Sequence, residues 1–164
     1  MNKVTLRCLP GHIWTLPNTI VALLFGLGGK CEWDANNEVV VVVGGWVPAI
    51  FTALGYAGMS IGDVILGAED LRVGHLQTYR HELIHTMQAR LLGPLYLPAT
   101  IACYVIGFCR FRENPHDASP LEVWADIASS NAHSNAYLRR QRQKQLPAGQ
   151  GVICQAQWCF RNGN

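Results

Sequence analysis

Three stretches of this chain, residues 9–29, 39–62 and 91–109, contain no Asp, Glu, Lys or Arg. Each has roughly the 20 residues that a membrane-spanning helix needs, so each must be covered by protein or placed in lipid. Their punctuation argues against uninterrupted spanning helices. The first holds Pro17 and Asn18 early and Gly26, Gly28 and Gly29 late; the second opens on a β-branched run and then meets Gly44, Gly45 and Pro48; the third contains Gly93, Pro94 and Pro98. Two readings remain: well-covered core elements, or peripheral membrane contact through 13–27 or 95–109 lying in the interface.

The rest of the composition fits one core. A chain of 164 residues with 49% hydrophobic side chains is long enough to fold without a disulfide scaffold. Charged residues are only 15%, against about 25% in an average soluble domain, which excludes a disordered polyelectrolyte. Residues 1–136 carry 8 basic and 11 acidic side chains, whereas 137–164 carry 5 basic and no acidic ones. The asymmetry divides the chain into a single domain over 1–146 and a loosely ordered tail over 147–164. A net charge of +2 argues against a nucleic-acid partner. The run Arg139, Arg140, Arg142 and Lys144 reads as the solvated end of a helix, with an anchor for nucleic acid or anionic lipid as the alternative. Six cysteines without a C-x-x-C pair read as buried or idle thiols, with Cys103–Cys109 or Cys154–Cys159 bridges as the alternative. Pro10, Gly11, His12 and Pro17 interrupt the apolar stretch that a cleaved secretory signal would need, so a cytoplasmic or membrane-associated protein is expected.

Periodicity predicts an α+β domain. A helix over 13–27, a β-hairpin of 31–33 with 38–43, a helix over 47–54, a strand over 59–66 and helices over 70–92, 98–108 and 119–140 follow from apolar spacing and turn residues. The five valines from Val39 to Val43 favour a strand buried on both faces. Gly93 followed by Pro94 stops the helix over 70–92. Ser119, Pro120 and Glu122 form the N-cap, the first helical position and the capping box of the last helix.

The helix over 70–92 carries His81-Glu82-Leu83-Ile84-His85, an H-E-x-x-H motif. Residues four apart lie one turn above each other, so two imidazoles can converge on one metal ion with Glu82 beside them, free to act as a base. Two histidines do not complete a tetrahedral zinc site. Gln88 and Leu91 stand where the metzincin pattern needs Gly and His, which excludes that subclass. Glu122 and Asp126 are four apart on the last predicted helix: Glu122 as third ligand, Asp126 as acceptor for the other ring proton of His81. His116 or Asp117, in the loop before that helix, is the alternative third ligand. His75, His12 and His133 have no partner motif.

With His81, Glu82, His85, Glu122 and Asp126 in matching positions, the chain resembles the gluzincin branch of zinc metallopeptidases, in which the two histidines and the glutamate bind zinc. The string HELIHTMQARLLGPLYLP also resembles small bacterial proteins with an H-E-x-x-H-x-x-Q helix followed by Gly-Pro. The resemblance spans residues 59–126. It implies a small zincin-like domain, with a β-hairpin and strand layer, an active-site helix and a third-ligand helix. The implied activity is zinc-dependent hydrolysis of a peptide or protein substrate with Glu82 as general base. The competing expectation is a membrane-associated or complex-bound protein whose metal site is structural or vestigial. Tyr79, His75, Tyr96, Tyr104 and His133 are the unranked candidates for stabilising an oxyanion, and the strand over 59–66 is a candidate edge for peptide pairing.

Overall fold

The computed structural model describes residues 9–46, 50–51, 53 and 55–145. It is an α+β domain with a four-stranded mixed sheet. The elements used below are α1 (Leu9–Phe25), β1 (Lys30–Asp34), β2 (Val39–Val43), β3 (Gly58–Ile61), β4 (Val64–Gly67), α2 (Leu71–Gly74), α3 (Leu76–Leu92), a 3-10 turn (Gly93–Leu95), α4 (Tyr96–Arg110), α5 (Pro115–Ala118), α6 (Pro120–Ala128) and α7 (Ala136–Gln145).

The sheet runs β1-β2-β4-β3. β1 and β2 form the expected antiparallel hairpin, with Trp33 opposite Val40. β2 then pairs in parallel with β4, Val40 beside Val64 and Val42 beside Leu66. Alternation along the valine run supplies both faces of the sheet. Val42, Val64 and Leu66 pack with Ala22 of α1, Phe51 and Ile61, with Leu97 of α4 at the margin. Val39, Val41 and Ile65 pack on the other side with Leu71, Tyr79 and Leu83 of α2 and α3. A smaller cluster of Ala89, Tyr96 and Leu121 joins α3, α4 and α6. The sheet is thus covered on both faces, which is why its central strands lack polar alternation.

Four sequence expectations change. The strand over 59–66 is a hairpin, β3 and β4, turning at Gly62 and Asp63; Gly62 has φ +62°, and a Cβ there would lie 2.5 Å from the backbone nitrogen of Thr19, so only glycine fits the turn. The helix over 70–92 breaks at His75 into α2 and α3. The helix over 119–140 breaks after Ala128, where Ser130 adopts φ +62°. There the side chains of Asn131 and Asn135 donate to the Asp126 carboxylate at 3.3 and 2.6 Å, local bonds that compete with a continued helix. The capping box is also absent: Ser119 Oγ has no hydrogen-bond partner among the described residues, and Glu122 points to other partners. Residues 47–49, 52 and 54, most of the helix expected over 47–54, and the tail over 147–164 lie outside the described residues, as do Cys154 and Cys159. Cys103 and Cys109 are free thiols, neither of them buried, and Cys31 is free and exposed.

Candidate metal centre

α3 lies against β3 on one side and α6 on the other, and its buried face presents His81, Glu82, His85, Gln88 and Ala89. The i, i+4 pair points at α6, whose buried face carries Glu122 and Asp126 one turn apart. The result is a convergence of three donor atoms. His81 Nε2 lies 3.1 Å from Glu122 Oε2, His85 Nε2 lies 3.2 Å from the same oxygen, and the two Nε2 atoms are 3.1 Å apart. His81, His85 and Glu122 form a buried group that could hold a metal ion.

Each ligand is oriented from behind. Gln88 Nε2 donates to the Leu121 carbonyl at 3.0 Å, which fixes the amide so that Oε1 faces His85 Nδ1 at 2.8 Å. An oxygen can only accept, so Nδ1 keeps its proton and the neutral form of His85 has its lone pair on Nε2. Asp126 Oδ1 stands 2.9 Å from His81 Nδ1, off the axis of a straight hydrogen bond. It nonetheless favours the same tautomer, in the position expected for it. Tyr104 of α4 donates to Glu122 Oε1 at 3.1 Å, leaving Oε2 for the shared centre. Glu82 is held by β3: Ser60 Oγ donates to its Oε2 at 2.7 Å and contacts its backbone carbonyl at 3.1 Å.

The electrostatics favour a cation. Burial pushes the Glu122 carboxyl up, but hydrogen bonds from His81 and His85 outweigh it and hold the group well below the usual carboxylate range. Burial likewise opposes charge on His81, yet the carboxylates of Asp126, Glu122 and Glu82 raise it to about 10. His85 is raised for the same reason, chiefly by Glu122. The centre opens into a cavity of about 390 Å³ bordered by Glu82, Glu122, Asp117 and Asp126, and no Lys or Arg is among its described lining residues. Carboxylates buried without a resident cation attract protons or a metal.

The structure therefore brings together His81, Glu82, His85, Glu122 and Asp126. Of the alternative third ligands, His116 lies at the edge, its Nε2 3.4 Å from Glu122 Oε2, and Asp117 instead caps α7, accepting from the Ala136 backbone at 2.8 Å. Tyr96 and Tyr104 line the cavity. Tyr79 does not: its hydroxyl donates to Asp34. His75 pairs with Glu69 at the surface, and His133 is exposed. Gln88 had a sequence signal, three residues beyond His85 on one helix face; Ser60 had none, because its partner is 22 positions away. No family model, no curated protein and no solved structure matches this chain.

Proposed function

We propose that this protein is a zinc-dependent metallopeptidase. The observation that carries the reading is the triangle of His81 Nε2, His85 Nε2 and Glu122 Oε2, with edges of 3.1–3.2 Å, beside a carboxylate that belongs to none of its corners. Ligand atoms around a tetrahedral zinc with bonds of about 2.0–2.1 Å stand roughly 3.3–3.4 Å apart, so this donor set fits zinc with little adjustment. Two nitrogens and one oxygen from protein are the ligand number of a catalytic rather than a closed structural site.

Zinc, when bound, supplies Lewis acidity, lowering the pKa of water and polarising a carbonyl. The protein supplies the rest. Glu82 is the general base, taking a proton from the attacking water and returning it to the leaving amine, and Ser60 fixes the carboxylate for that exchange. β3 is an end strand of the sheet and borders the cavity along Gly58–Ile61, so its free edge would align an extended peptide by backbone hydrogen bonds. Outside the triangle, Tyr104 and His116 reach the Glu122 carboxylate at 3.1 and 3.4 Å and are suited to stabilise an oxyanion.

The test is metal content by mass spectrometry together with proteolysis of an unfolded protein substrate. Wild type should carry one zinc and cleave; Glu82→Gln should keep the zinc and lose activity by roughly 10²–10⁴-fold. The deep burial of the ligands also suits a structural metal in a membrane-associated or complex-bound protein. A Glu82→Gln protein as active as wild type, with zinc bound, would establish that second reading instead.

A further inference from the structure

Helices α1 and α4 have their polarity reversed. On α1 the side chains turned inward are Thr15, Asn18 and Ala22. Those turned outward include Ile13, Leu16, Ile20 and Leu24, each about half exposed or more, at the spacing of one stripe along a helix. α4 repeats the pattern. Tyr96, Thr100 and Tyr104 line the metal cavity, while Ile101, Val105 and Phe108 are 68%, 60% and 52% exposed. A surface helix in water does the opposite, burying its apolar stripe and wetting its polar one.

Neither helix can roll to hide its stripe. Asn18 donates to the Gly93 carbonyl at 2.6 Å, and Trp14 lies so close over Gly93 that a Cβ there would meet its indole nitrogen at 2.1 Å. Tyr104 is tied to Glu122. The two helices meet at the turn Gly93–Leu95, and exposed Leu91 and Leu95 continue the apolar surface across it. The run Leu76–Arg110 includes an 18-residue window apolar enough, by length and composition, to cross a membrane, of which 17% is buried. Its cavity-facing polar side favours lying in the interface over crossing.

Charge selects the occupant. Residues 9–29 and 91–109 carry no charged side chain other than histidine, but cations gather where α4 ends. Arg110 and Arg112 are exposed, with Arg112 5.8 Å above the Phe108 ring; α7 brings Arg140 to 4.7 Å from the Phe111 ring, where it pairs with Glu113 at 2.9 Å, and adds Arg142 and Lys144, both exposed. Acyl chains beside anionic headgroups match that succession of apolar stripe, aromatic ring and guanidinium. A second copy of the chain would offer those cations no carboxylate from either stripe. We propose that α1 and α4 seat this protein in the interface of an anionic phospholipid bilayer, independently of what the metal centre does.

The experiment is flotation of the full chain with vesicles of phosphatidylcholine, with and without phosphatidylglycerol, alongside the molar mass in solution. The variants are Ile20→Asp with Leu24→Asp, Ile101→Asp with Val105→Asp, Arg110→Gln with Arg112→Gln, and Val73→Asp as a control on α2. All alter exposed side chains, and an unchanged circular dichroism spectrum and melting temperature report that each is folded. Wild type and Val73→Asp should float with phosphatidylglycerol vesicles. Each Asp pair should bind at least about tenfold more weakly, and the Gln pair several-fold more weakly. Wild type that stays unbound with both vesicle types overturns the proposal. So do Asp pairs that leave flotation intact while splitting a wild-type dimer, which would assign the stripes to a second copy. Equal binding to phosphatidylcholine alone, untouched in the Gln pair, overturns the anionic part.

Discussion

Two buried clusters in this domain use the same side chains and end in opposite states. At the candidate metal centre, His81 and His85 face Glu122, Asp126 and Glu82 with no lysine or arginine among the described lining residues. On the opposite edge of α3, His12 Nδ1 lies 2.7 Å from Asp63 Oδ2 and its Nε2 3.2 Å from Glu38 Oε2. There Arg90 closes the cluster: its Nε donates to Asp63 Oδ1 at 2.6 Å and its Nη2 to the Glu38 carbonyl at 2.6 Å. The second cluster carries its own cation and ties α1, the hairpin turns and α3 together. The first turns His81 Nε2, His85 Nε2 and Glu122 Oε2 toward one point. The difference teaches that histidine beside carboxylates is not enough: a cluster already closed by a guanidinium has no need of a metal, whereas one without it among the described residues could hold one.

The comparison breaks most sharply at Glu122. Replacing it with Ala should reduce bound zinc from one equivalent to background by mass spectrometry, while the His12 cluster and the fold survive; zinc retained at full occupancy would sink the triangle. Arg90→Met tests the other side. Removing the guanidinium leaves Asp63 with His12 as its remaining side-chain partner at 2.7 Å and should cost about 1–3 kcal/mol in urea unfolding, with zinc stoichiometry unchanged. A loss under 1 kcal/mol would mean that the second cluster is not held by its cation.

Smaller effects sharpen the account. Gln88→Ala frees the His85 tautomer and should weaken zinc binding roughly 10–100-fold in a competition titration, without unfolding the chain. The pH dependence follows from the sign of each shift. In metal-free protein the raised His81 stabilises fully below its ordinary value of 6.5 and progressively less as pH rises toward about 10. The depressed Glu122 stabilises above its ordinary 4.5 and less as pH falls below it. Metal-free protein should therefore be most stable between those two values. Zinc needs neutral imidazoles, so the gap in Tm between zinc-loaded and metal-free protein should widen from pH about 6 to about 9. A gap that narrows over that range would contradict protons and zinc competing for one centre.

Much of the fold was legible where local rules act alone. The valine hairpin, the Gly93 stop and the helix bearing His81 and His85 follow from propensity and spacing within a dozen residues. The misread elements share a cause. The single strand over 59–66 hid a turn whose glycine is demanded by Thr19, and the long last helix hid a break organised by Asn131 and Asn135 around Asp126. In both, specific contacts rather than propensity decided the backbone: one with α1 in the first, local side-chain bonds in the second. Ser119 and Glu122 had the letters of a capping box, but the Ser119 N–H already donates to the His116 carbonyl at 3.0 Å, and Glu122 turns to two imidazoles.

The sequence by itself determined that two imidazoles stand one turn apart beside a carboxylate, because helical geometry needs nothing beyond the helix. Only the tertiary structure decided that Glu122 rather than His116 or Asp117 completes the triangle, that Ser60 and Gln88 hold it, and that α1 and α4 turn their apolar stripes outward. Those outcomes rest on contacts between segments tens of residues apart, and no local spacing encodes which of several eligible partners packing will bring within reach.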